Sequence, residues 1–157
     1  MALFRDNRAI RPNKKGDGFE LRLTEDERSL LARLPLELVE LLELNPTDDP
    51  GLRRLFPDAY SPLDTAHNDE YKRLMHDDLR DRHREALETL ASDAHENVIS
   101  ADRLYAWMTA LGQLRLVIGT RLGVTEETEP DDSPEFALYG YLSYLQEQVV
   151  EAMSTTL

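Results

Sequence analysis

Residues 100–123, SADRLYAWMTALGQLRLVIGTRLG, decide the fold of this chain. Ser100 is a favourable N-cap, and Gly123 stands where many helices end in a left-handed glycine, so the stretch predicts a helix that ends at Leu122. Apolar residues cover most of its surface: Leu104, Trp107, Met108, Leu111, Ile118 and Leu122 on one face, and Leu114, Leu116 and Val117 on others. A helix that is apolar nearly all round belongs in the middle of a bundle.

The flanking segments supply the rest of an antiparallel helical bundle. TEDE (24–27) is a capping box that begins a helix, in which Pro35 predicts a kink or a split into two helices. Further helices are predicted over about 66–91 and from Ser133 to about Met153, with a short helical turn at GLRRLF.

Residues 3–23 form the predicted N-terminal β-hairpin. LFRDNRAI and FELRL both alternate apolar with polar residues, and PNKKGDG between them is typical of a turn. The expected fold class is therefore mainly α: a helical bundle over 25–153, with a central apolar helix and this hairpin packed on it. A length of 157 residues suits one domain, 1–157.

The composition excludes several classes of function. A net charge of −13 argues against non-specific binding to nucleic acid or to a membrane surface, and favours a protein partner with a basic surface. The absence of cysteine excludes disulfides, thiolate catalysis, cysteine-based zinc sites and thiol redox sensing. No signal peptide or membrane-spanning run is visible, so we expect a cytoplasmic protein.

The acidic charge is concentrated after the central helix. Beyond Arg121 the sequence has eight acids and no lysine or arginine. The acids of the connection to the last helix are candidate partner-facing residues: Glu126, Glu127, Glu129, Asp131 and Asp132. A merely solvated connection between two helices is the alternative interpretation.

Charged residues also fall inside two predicted apolar stripes. Asp78 and Arg82 lie four residues apart, within the apolar arc of helix 66–91, and can pair with each other. Arg115 lies in the middle of the apolar arc of the central helix. Arginine cannot lose its proton to escape burial, so we expect Arg115 to be largely buried and paired with a carboxylate, that of Asp78 first of all.

Two interpretations of this cluster stay open. The first is a buried ion-pair network that fixes the register of the helices. The second is an anion pocket in which Arg82 and Arg115 hold a carboxylate or a phosphate.

No metal or other cofactor, and no catalytic motif, is predicted. His76 and His83 are seven residues apart, about 10 Å of helix, which is too far for one metal ion, so solvent-facing histidines are expected. GTRLG (119–123) ends a helix instead of following a strand, unlike a phosphate-binding loop, and Gly119 is expected to let a neighbouring helix approach closely. Nothing in the sequence indicates an enzyme.

Three tyrosines cluster in FALYGYLSYL (136–145). Tyr139 lies off the main apolar stripe of the last helix, and Tyr141 and Tyr144 fall on its other side. This aromatic surface either extends the core or forms the seam of a homodimer.

Several segments, in order along the chain, resemble those of a known family: FELRLTEDERSLLARLP, LRRLFPDAY, YKRLMHDDLR, WMTALGQLRLVIGTRLGVTEET and YLSYLQEQVVEAM. The resemblance is to an actinobacterial family catalogued as a domain of unknown function. Its members are typically encoded near the ClpS-type protease adaptor, and some are named oxidative stress regulators (AosR-like). The resemblance covers nearly the whole chain, and LFPDAY and LRLVIGTRLGVTEE are its most specific parts.

This resemblance implies a cytoplasmic, non-enzymatic regulator that acts through a protein partner such as a sigma factor. Redox sensing through cysteines, attributed to the family, cannot operate in a chain that has none, so no functional residue is carried over. Two alternatives remain: an accessory factor or adaptor of Clp proteolysis, and a small anion-binding protein or enzyme that uses an Arg82/Arg115 pocket.

Overall fold

The computed structural model describes residues 7–44, 49–56, 65–125, 128, 129 and 131–155, with backbone alone at 65–68 and 72. The elements in chain order are β1 (Ile10–Pro12), β2 (Phe19–Leu21), α1 (Glu25–Leu44), α2 (Pro50–Arg53), α3 (Thr65–Asp93), β3 (Val98–Ile99), α4 (Ala101–Leu122) and α5 (Pro134–Ser154). The predicted fold class, mainly helical with an N-terminal hairpin, is confirmed. None of the helices in the described ranges combines the length and hydropathy needed to cross a membrane.

Helix α4 is the centre of the bundle, as its sequence predicts. It packs against α2, α3 and α5, and Trp107 and Leu111 on it have no solvent exposure. The Ser100 side chain accepts a hydrogen bond from the Arg103 N–H at its start. At its end Gly123 has a φ of 68°, and the Val124 N–H donates to the Gly119 carbonyl. Both predicted ends of the helix are confirmed.

The hairpin belongs to a three-stranded antiparallel sheet in the order β1-β2-β3. The third strand, which pairs Ile99 with Phe19, was not predicted because two residues are too few to show an alternating pattern. Gly18 precedes β2 with a φ of 89°, and a Cβ there would lie 2.6 Å from the Ile99 carbonyl oxygen. The third strand adds pairing to a hairpin that would be marginal alone, and Ile10, Phe19 and Leu21 are buried.

Helix α1 is continuous through Pro35, so of the two outcomes predicted there, a kink or a split into two helices, the split is wrong. Proline removes one backbone hydrogen bond, but Pro35 is fully buried in the stripe that includes Leu31 and Leu38. Tertiary packing of that stripe keeps the helix intact. The capping box is confirmed, because Thr24 and Glu27 exchange side-chain to backbone hydrogen bonds of 3.2 Å.

Arg28 joins the sheet to the helices. Its side chain is buried, with 7% exposure, and donates four hydrogen bonds to backbone carbonyl oxygens. The acceptors are the carbonyls of Leu21 and Leu23 before α1, and of Ala94 and Glu96 after α3, at 2.6–3.2 Å. A single cation thus ties together β2, the first turns of α1 and the connection from α3 to β3.

Candidate functional site

Asp78 and Arg82 form an ion pair of 2.8 Å on the outer surface of α3. Their side chains are 52% and 72% exposed, so the prediction that Asp78 partners Arg115 in the interior is wrong. The apolar arc that they share includes Leu74, which is 65% exposed, and Ala86 is the first buried residue among the described side chains of α3. The residue spacing correctly placed Asp78 and Arg82 on the same face of α3 as the apolar residues. The neighbouring helices, however, do not cover that part of the face.

Arg115 is half-buried between α4 and α5 and contacts neutral groups. Its Nε donates to the Ser143 hydroxyl at 2.9 Å, its Nη1 donates to the Gln146 amide oxygen, and its guanidinium carbon lies 5.6 Å from the centre of the Tyr139 ring. The predicted carboxylate partner is absent among the described residues. The reason is that α5 turns Tyr139, Ser143 and Gln146 toward α4, while all three of its acids, Glu135, Glu147 and Glu151, are exposed.

Arg115 lines a cavity of about 210 Å³ beside α4. A second arginine, Arg54, lies on its wall directly after α2, together with Thr120 and the Tyr139 ring. Gly119 allows the tyrosine to lie there, because a Cβ at this glycine would be 3.0 Å from Tyr139 Cε2. The group that approaches Gly119 is thus a side chain of the neighbouring helix α5 and not the backbone of that helix, as a close approach of two helices would require. The arginine that accompanies Arg115 is Arg54, and Arg82 does not line this cavity.

The candidate partner-facing acids are only partly described. Glu126 and Glu127 lie outside the described residues, whereas Glu129, Asp131 and Asp132 are exposed. Asp131 accepts a hydrogen bond of 2.8 Å from the Ser133 N–H before α5, and its hydrogen bonds with Ser133 lower the pKa of its carboxyl group. Asp131 therefore stays ionised at the start of α5, where the helix dipole favours negative charge.

The acidic surface continues along the outer face of α5, which comprises Tyr144, Glu147, Val150 and Glu151. All four side chains are exposed, and Tyr144 and Val150 each expose 45% of their surface.

The three tyrosines of α5 differ in burial. Tyr139 and Tyr141 are half-buried, which favours the core interpretation for them, whereas Tyr144 remains on the surface.

Asp93 is the buried carboxylate among the described residues, and it was not predicted from the sequence. It is 3% exposed and accepts hydrogen bonds from the Arg103 guanidinium at 2.9 Å and from the Trp107 indole N–H at 3.2 Å. This carboxylate raises the pKa of Arg103. The signal was the single tryptophan, because a buried indole needs an acceptor.

His83 is half-buried and hydrogen-bonded within the protein, so the expectation of solvent-facing histidines is wrong for it. Its Nε2 lies 2.8 Å from the Leu55 carbonyl oxygen and its Nδ1 lies 2.5 Å from Gln113 Nε2. In this orientation the amide donates to Nδ1, which corresponds to a neutral ring, and burial lowers the pKa of His83, which also favours the neutral form. Phe56 stacks on His76 with ring centres 4.0 Å apart. Among the described residues no three metal-ligating side chains form a group.

Comparison with known proteins places this chain in a family. The family model described as a domain of unknown function (DUF2017) matches residues 6–153. A protein of Mycobacterium leprae (strain TN) named "Putative oxidative stress regulator AosR" is 31% identical in an alignment of 131 residues, and the match covers 69% of this chain. The chain spans 60% of that relative's length. No solved structure matches the chain. Because the family model covers nearly all of the sequence, the chain belongs to the DUF2017 family.

Proposed function

We propose that this protein is a non-enzymatic regulator that binds a protein with a basic surface through the outer face of α5. The observation that carries the proposal is the composition of that face. Tyr144, Glu147, Val150 and Glu151 lie within an arc of about 120° on the helix and are exposed. They combine apolar surface with negative charge, and the chain contains no lysine or arginine after Arg121.

This composition matches the anatomy of a protein interface. Exposed tyrosine and valine supply apolar area that becomes favourable when water is removed from it, and the surrounding carboxylates guide a basic partner and exclude acidic ones. The net charge of −13 adds long-range attraction for such a partner. Nucleic acid and anionic membranes would be repelled by the same field.

The relative named as an oxidative stress regulator supports a regulatory role for this chain. The partner we would test first is a sigma factor, which is the partner that the sequence resemblance implies. This chain has no cysteine, so it would act as a binding partner without sensing redox state through thiols. A component of the Clp system is the alternative partner.

The test compares two double variants with the same change of charge. Glu147→Lys/Glu151→Lys reverses both acids of the α5 outer face, and Glu40→Lys/Glu43→Lys reverses two exposed acids of α1. The immobilised wild type would capture partners from native lysate at low salt, and the captured protein would be identified, purified and titrated. We expect the affinity for the captured partner to fall at least about tenfold in the α5 variant and less than about twofold in the α1 variant. The affinity of the wild type for the same partner should fall as the salt concentration rises.

Two results would overturn the proposal. The first is equal loss of affinity in both double variants, since the α5 outer face would then have no special role. The second is the absence of any captured protein with a basic surface. Capture of a sigma factor or of a Clp component decides between the two partner classes.

A further inference from the structure

The cavity beside α4 has the chemistry of an anion site, and its evidence is separate from that for the α5 outer face. Arg54 and Arg115 line it, and no carboxylate of the described residues is within ion-pair distance of either guanidinium group. None of the residues that line the cavity is acidic. This is unusual in a chain whose acids outnumber its lysines and arginines by 31 to 18.

The unused donors of the cavity are specific atoms. Arg115 employs Nε on Ser143 and Nη1 on Gln146, which fixes the orientation of the guanidinium and leaves Nη2 without a partner among the described residues. The guanidinium of Arg54 and the hydroxyl of Tyr139 likewise have no hydrogen-bond partner in the described part of the chain. Thr120 is different, because its hydroxyl already donates to the Leu116 carbonyl at 2.7 Å.

A half-buried cation that is held in place but not neutralised favours an oxyanion. A planar guanidinium presents parallel N–H groups that match the oxygens of a phosphate or a carboxylate. A tyrosine hydroxyl can add a third donor. The cavity also has an apolar portion, formed by Leu116, Val124 and the Tyr139 ring. Its volume of about 210 Å³ exceeds the share of several water molecules, so it has room for more than a bare inorganic ion.

We propose that this cavity binds a small organic oxyanion, with its phosphate or carboxylate group on Arg54 and Arg115 and its organic part against Leu116, Val124 and Tyr139. Binding would connect the residue after α2 to α4 and α5. The site needs neither a protein partner nor the outer face of α5, so it stands or falls independently of the proposed regulatory function.

The experiment titrates the full chain with phenyl phosphate, benzoate and inorganic phosphate at constant ionic strength. Binding is followed by calorimetry and by the backbone amide NMR signals of Gly112, Gly119 and Thr120. We expect saturable shifts of these signals, and an affinity for phenyl phosphate or benzoate at least about tenfold higher than for inorganic phosphate. Equal affinity for all three probes would overturn the role of the organic part, and absence of saturable binding would overturn the site.

Matched variants locate the binding. Arg115→Gln and Arg54→Gln should each weaken binding of the favoured probe at least about tenfold, while Arg82→Gln removes the same charge from the exposed surface of α3 and should change affinity less than about twofold. Arg54 is exposed, so its variant keeps the fold even if Arg115→Gln loosens the contact between α4 and α5. Equal weakening in all three variants would indicate a general charge effect and refute the assignment of these two arginines.

Discussion

Replacement of Arg28 by methionine should destabilise the protein by about 3–5 kcal/mol. The wild-type guanidinium donates four hydrogen bonds to backbone carbonyls, and bonds that involve a charged group stabilise by roughly 1.5–3 kcal/mol each. Burial of the charge costs several kcal/mol in opposition, so the net loss is well below the sum of the four bonds. Methionine preserves most of the apolar stem, which confines the effect to the lost donors.

Urea denaturation followed by tryptophan fluorescence measures this loss directly. Trp107 is the single tryptophan of the chain and is fully buried, so its emission reports unfolding of the bundle. Arg33→Met on the same helix is the control, because its side chain is 71% exposed and 3.8 Å from Glu37, and it should change stability by less than about 0.5 kcal/mol. An Arg28→Met variant within about 1 kcal/mol of the wild type would refute the assignment of Arg28 as the connector of sheet and helices.

Three further predictions follow from individual contacts. Gly18→Ala should lower the free energy of unfolding by at least about 2 kcal/mol, because the new Cβ would lie 2.6 Å from a carbonyl oxygen. Gly123→Ala has open space around the new Cβ and should lower it by only about 1 kcal/mol, for the left-handed backbone. Equal urea midpoints of the two variants would contradict this. Burial lowers the pKa of His83, so the unfolded chain binds a proton at this residue more tightly and the folded state loses stability as the pH falls below about 6.5. His83→Gln should therefore make the urea midpoint less dependent on pH between pH 7 and 5.5. An unchanged pH dependence would contradict this prediction. Tyr141→Phe removes a 2.7 Å hydrogen bond to Glu27 and should lower stability by about 1 kcal/mol, compared with no loss for Tyr144→Phe at an exposed ring.

The helices were predictable because their signals are local. The caps at Thr24, Ser100, Gly123 and Ser133 depend on residues within one turn, and the apolar surface of α4 required a central position whatever surrounded it. The two-residue strand β3 gave no such signal, since its position depends on pairing with β2.

The side-chain contacts between helices could not be predicted from the sequence. A helical period shows which residues share one face of a helix, but not which element packs against that face. In the sequence Arg28 resembles Arg115, because it is also a charged residue within an apolar stripe, three residues before Leu31 on α1. Its partners are backbone carbonyl oxygens. Because every residue has one, the sequence does not indicate which of them Arg28 contacts. Arg115 faces α5, whose side chains there are neutral, so its expected partner Asp78 remained on the surface of α3.

The distribution of ion pairs makes Arg54 and Arg115 informative. At least seven other arginines of the described residues have a carboxylate oxygen within 4.0 Å: Arg11, Arg33, Arg80, Arg82, Arg84, Arg103 and Arg121. The exposed Arg73 has none among the described residues, but it does not line the cavity. In so acidic a chain, a carboxylate near an arginine is the ordinary outcome. Arg28 lacks one because four carbonyls satisfy it. Arg115 has two neutral acceptors and Arg54 has no acceptor among the described residues, yet both line one cavity without acids. A ligand that brings its own negative charge is the simplest way to complete their coordination.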